Sequence, residues 1–229
     1  MGNLSEFLME ELNVATAFTI PIFGGIEVAE STVISWVIMA IIVILTLVLT
    51  RNMRVEKPGK LQVGVEYAVT ALQNLVRGII GHEGERYVPY LSTVLVFLGI
   101  SNIFAIFGMK PPTKDLNVTA ALALMSIILV QAASIRQNKV GGWLKGFTKP
   151  SKVITPLNVM ELAIRPLSLC MRLFGNVLGA FVVMKLLEHL VPVILPAVFS
   201  LYFDFFDGLL QAYVFVFLTG LYIKEAVEE

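Results

Sequence analysis

The residue in the most unusual setting is Arg172, which stands near the middle of an apolar run from Pro156 to Leu190. A guanidinium at mid-membrane depth costs roughly 2.5–3.5 kcal/mol on insertion scales, so such residues mark ion paths, sensors or buried pairs. Arginine does not lose its proton at accessible pH and cannot relay one. Its contribution has to be electrostatic. Glu161, Arg165, Ser168 and Asn176 share the run. At 100° per residue they fall about −20°, +20°, −40° and +40° from Arg172, with Gly179 also near −20°. One face is polar; the opposite face is Leu, Val and Phe. The next apolar run carries Asp204, Asp207 and Gln211 at about 0°, −60° and −20°, again on one side. Gln211 is expected near the depth of Arg172, and the two polar faces can meet across an antiparallel hairpin. Snorkelling of Arg172, or a buried Arg–Asp pair, is the plainer alternative.

Other chemistry is thinly represented. Lys185 and Glu188 form an i, i+3 pair, read as an interfacial ion pair. His82 and His189 are far apart, and Cys170 is the single cysteine. No zinc-ligand spacing is present, and neither a metal nor a cofactor is expected. No G-x-x-x-x-G-K-[ST] occurs, so no nucleotide site is expected. The formal net charge of zero offers no basic footprint for nucleic acid.

The elements that must position these residues are membrane spans. The chain is 57% apolar and 15% charged, with a mean hydropathy of +0.82, against about 25% charged residues in a soluble domain. Apolar runs long enough to cross a core of about 30 Å recur along it. The hydropathy pattern predicts an all-α integral membrane protein, one membrane domain over 1–229. Five transmembrane helices fall at 31–50, 88–108, 116–136, 156–190 and 193–226, with an interfacial amphipathic helix at 61–80 and an external segment at 1–30. Residues 136–152 read as a polar connection. The last two runs are too long to stand upright and predict a long tilted antiparallel hairpin. Met1–Asn13 carries Glu6, Glu10 and Glu11 and no Lys or Arg, the wrong charge for a signal peptide. Basic loops at 51–60 and 136–152 place those ends in the cytoplasm, giving an external N-terminus and a cytoplasmic C-terminus.

Three segments carry a resemblance. They are Pro112-Thr113-Lys114-Asp115-Leu116-Asn117-Val118-Thr119, Arg165-Pro166-Leu167-Ser168-Leu169-Cys170-Met171-Arg172-Leu173-Phe174-Gly175-Asn176, and Gln211-Ala212-Tyr213-Val214-Phe215. In this order and spacing the chain resembles subunit a of the membrane (Fo) sector of F-type ATP synthases. That resemblance implies a stator in a bacterial cell membrane, beside a rotating ring of small hairpin (c-type) subunits and with peripheral-stalk (b-type) subunits. It implies two aqueous half-channels reaching ring carboxylates, and ATP chemistry in partner chains rather than here. It places the family's essential arginine on Arg172, its companion asparagine on Asn176 and the last-helix glutamine on Gln211. Asp204 and Glu161 fall on positions that are polar or acidic in the family. Glu161 with Ser168 is the expected inner half-channel. Many members carry a glutamate nine residues after the arginine, where this chain has Phe181. The outer path is therefore expected on Asn176, Asp204 and Asp207, or on Glu188. A self-contained transporter or channel would also bury charge, but the chain has no internal repeat. An intramembrane hydrolase would need a metal cluster or a paired nucleophile; Asp204 and Asp207 on one turn support it weakly.

Overall fold

A computed structural model describes residues 16–20, 26–54, 58–82, 84–104, 111–146, 155–190 and 199–228; among these, the side chains of residues 20, 26, 144, 145, 189, 190, 204 and 228 lie outside the description. Two short strands, β1 (Thr16–Ile20) and β2 (Ile26–Ala29), pair antiparallel. This hairpin within the N-terminal segment was not expected from its sequence. Six helices follow: α1 (Glu30–Thr50), α2 (Lys60–Ile80), α3 (Val88–Ile103), α4 (Leu116–Gly146), α5 (Thr155–Leu190) and α6 (Gly208–Glu228). Four described helical stretches are long and apolar enough to cross a membrane: Glu30–Thr50, Leu116–Trp143, Thr155–Glu188 and Leu201–Val227. The chain is an α-helical, multi-pass membrane protein. α3 has 16 residues, about 24 Å at 1.5 Å per residue. The rest of the run expected at 88–108 passes into residues 105–110, outside the described set.

A uniformly apolar helix still has to choose a face. On α6 the packed positions are Gln211, Ala212, Phe215, Val216, Thr219, Gly220 and Ile223. That i, i+3, i+4 stripe lies against α2, α3 and α4. α4 answers with Thr119, Leu122, Ala123, Ser126, Ile127, Val130 and Ala133. Small residues recur in both stripes, as expected where helix association relies on close packing and the surrounding lipid is as apolar as the helices. α1 is the opposite case: only Ser35 and Ile38 are buried, and its large apolar side chains face outward.

One buried polar cluster ties the bundle together. Asn102 Nδ2 on α3 donates to the Gly208 carbonyl at 2.8 Å, and Thr113 Oγ1 donates to Asn102 Oδ1 at 2.9 Å. Two residues on, Asp115 accepts from the Asn117 backbone N–H at 2.9 Å, capping α4, and from the Ser31 hydroxyl on α1. Thus the short 3₁₀ turn Pro112–Lys114 joins four helices. At Gly208 an added Cβ would lie 2.8 Å from Asn102 Cβ. Only glycine allows this approach.

Two departures from the expected elements have physical reasons. α4 runs to Gly146 rather than ending near 136, with a break at Lys139 (φ 57°, ψ 165°). The chain folds back there, so that Trp143 Nε1 reaches Gln131 Oε1 at 2.8 Å. Residues Leu201–Asp207 form a π-helix leading into α6. Its i→i+5 bonding changes the angular spacing, so the α-helical projection of Asp204 onto the face of Gln211 does not carry through this stretch.

Candidate ion-translocation face

α5 spans 36 residues, about 54 Å. Its packed side is set by Leu169, Cys170, Leu173 and Met184, which turn toward the bundle. The projection places Arg172 about 110° from the middle of that side and Asn176 at its edge, and both are exposed, together with Gly175 and Gly179. Ser168 is half-buried and Glu161 exposed. Among the described residues Arg172 has no hydrogen bond or ion pair. The Arg172 guanidinium lies on the outer side of α5, and Gly175 and Gly179 on the same helix have open space beside them.

The expected meeting of the two polar faces is only partly realised. Gln211 is 8% exposed and lies on the packed stripe of α6. Its Nε2 points to Asp207 Oδ1 at 3.5 Å. Arg172 makes no bond to Gln211 or Asp207 among the described residues. The Asp204 side chain lies outside the description, and so does that of His189.

Below Arg172 the helix pair is joined. Arg165 Nη2 contacts Glu161 Oε2 at 3.0 Å and Glu225 Oε1 at 2.8 Å, the latter on α6. The Arg165 guanidinium carbon also lies 5.0 Å from the centre of the Tyr222 ring. Glu225 lies at the end of the run expected at 193–226 and was not among the residues singled out from the sequence. Its signal is an acid on the face of α6 that also carries Tyr222, opposite an arginine in the neighbouring run.

Above Arg172 the charges are reversed. Phe181, where an acid would be expected from the resemblance, has the Lys114 ammonium 3.5 Å from its ring centre and that of Lys185 at 5.8 Å. Lys185 also pairs with Glu188 at 2.9 Å, the expected i, i+3 bridge. Asn102 was also missed in the sequence; an amide inside an apolar run is the signal that could have found it.

The family model described as ATP synthase A chain matches residues 32–224. The chain belongs to the ATP synthase A chain family. It is 37% identical over 205 residues to ATP synthase subunit a of Moorella thermoacetica, covering 89% of this chain and 93% of that one. It is 33% identical over 207 residues to ATP synthase subunit a 1 of Hahella chejuensis, covering 90% and 87%. It is also 31% identical over 219 residues to the sodium-ion-specific ATP synthase subunit a of Propionigenium modestum, covering 89% and 75%. Membership connects the chain to ATP synthesis and ion transport, as a component of a membrane complex rather than a catalyst by itself.

Proposed function

We propose that this chain is the ion-translocating stator of a rotary ATP synthase in a bacterial cell membrane. The supporting observation is Arg172, permanently charged, exposed on the open face of α5 and without a partner among the described residues. The occupant of that face is a ring of small hairpin subunits, each bearing a carboxylate at mid-membrane, while peripheral-stalk subunits hold the chain still. A ring carboxylate facing lipid is neutral, because burying its charge is far more costly. Beside Arg172 the ionised form is favoured, so the ion is released there. It must be replaced from the opposite side before the carboxylate returns to lipid. Arg172 also repels a cation trying to cross directly, which converts leakage into rotation. Each charge moved through 100 mV supplies ~2.3 kcal/mol, so several must pass per ATP.

In this reading residues 1–229 form one membrane domain with five spans, the N-terminus outside and the C-terminus in the cytoplasm. α2 lies at the interface. Glu161 and Ser168 line the inner half-channel; Asn176, Asp204 and Asp207, or Glu188, line the outer one, displaced from Phe181 by the lysines around it, and Gln211 lies between the two. The coupling ion is a proton or a sodium ion. In vesicles carrying the complex, Arg172→Ala should reduce ion-driven ATP synthesis to background with assembly unchanged; synthesis at the parental rate would overturn the reading. Repeating the assay with and without Na⁺ identifies the ion. An impermeant thiol reagent should label a cysteine at Arg51 from the cytoplasmic side only, after Cys170 is replaced.

A further inference from the structure

Pro166 sits inside α5, where it has no N–H for the carbonyl of Leu162, so the helix is weakened at this turn. The same turn is bridged from outside. Arg165 reaches back to Glu161 within α5 and across to Glu225 on α6, with its guanidinium over Tyr222. The Arg165–Glu225 ion pair joins α5 to α6. Arg165 is the more enclosed partner, at 22% side-chain exposure against 48% for each carboxylate. Arg172 stands seven residues beyond it, about 10.5 Å along α5, and Gln211 fourteen residues back from Glu225, about 21 Å along α6.

We infer that Arg165 is a positioning residue: it pins α6 to α5 across the proline turn and so fixes where Arg172 stands along α6, about 10.5 Å short of the level of Gln211, while the ring moves past. The inference rests on the stator reading above. Two carboxylates and one guanidinium leave one net negative charge, so the pin is made without adding positive charge on the cytoplasmic side of Arg172. Lysine could supply the charge and the donors, but not the planar guanidinium that lies over the Tyr222 ring.

The role predicts slip rather than loss of protein. In inverted vesicles carrying the whole complex, Glu225→Gln should lower ion pumping per ATP hydrolysed about fivefold, equivalent to ~1 kcal/mol, the upper end for a partly exposed pair. Hydrolysis itself should continue, and the quantity of assembled complex should be unchanged. The exchange Arg165→Glu with Glu225→Arg should recover at least half of the coupling, because the pair across the helices is remade. Parallel losses of assembled complex and both rates, with no recovery in the exchange, would show a merely structural contact and overturn the inference. Unchanged coupling in Glu225→Gln would overturn it as well. Arg172→Ala, measured in the same vesicles, separates the two readings. If it stays active, the stator reading fails; if it is inactive while Glu225→Gln is fully coupled, only the pin fails.

Discussion

The two polar clusters of this bundle differ in whether they are closed. Around Asn102 each side-chain amide atom has a partner: Gly208 takes the amide N–H and Thr113 supplies a proton to the amide oxygen. Asn102 and Thr113 are 3% and 0% exposed. Around Arg172 the side chains are exposed and the charge is unanswered within the described residues. A closed cluster has spent its hydrogen-bonding capacity on the fold. An open one keeps its capacity for something outside the chain. Stability is therefore expected to reside in the first and transport in the second.

Substitutions can separate these roles. The largest effect is expected at Arg172→Ala, which should cut ion-driven ATP synthesis by at least about 100-fold, the scale seen when a preorganised charge stabiliser is removed. Immunoblots of the purified complex should show unchanged subunit content. Next is Asn102→Leu. It takes from the Thr113 hydroxyl its amide acceptor and from the Gly208 carbonyl its side-chain donor in an apolar interior, at roughly 1–3 kcal/mol. The amount of assembled protein should fall by more than half, while activity per assembled complex is preserved. If instead Asn102→Leu stopped transport in fully assembled complexes, the division between closed and open clusters would collapse. Gly208→Ala sharpens the same point: its Cβ would meet that of Asn102 at 2.8 Å. Overpacking of this kind costs roughly 1–3 kcal/mol, visible as a lowered melting midpoint of the detergent-solubilised complex. The smallest effect is expected at Phe181→Glu. The new carboxylate would stand between the Lys114 and Lys185 ammonium groups and pair with them, so ATP synthesis should change less than about twofold. A large gain in rate would show that the outer path does run beside Phe181.

The spans were legible because length and hydropathy suffice for them: α1 and α5 lie within a residue or two of their expected positions. So was the open face of α5, since polar residues at helical spacing on an apolar run identify a stripe without any partner in view. The face chosen by α6 was less legible. The polar side that carries Gln211 turns inward with the small residues that meet α3 and α4, a choice that depends on the partner helices. The π-helix at Leu201–Asp207 left no trace, because i→i+5 bonding has no residue signature in a stretch of Leu, Tyr and Phe. The Arg165–Glu225 bridge links residues 60 apart, and nothing in either local sequence names the other. Residues 136–152 read as a polar connection, yet the chain breaks at Lys139 and is helical through Gly141 and Gly142.

The Asn102 amide also carries a timetable. It lies 106 residues before the carbonyl it serves at Gly208. At about 5–20 residues per second, some 5–20 s separate the synthesis of the two. During that interval α3 has its amide but not the last helix that receives its proton, and a lone amide is poorly tolerated in hydrocarbon. Arrival of α6 completes the bond. The cluster thus records whether the final span has docked, and a chain lacking that span is left with an unsatisfied group at its centre.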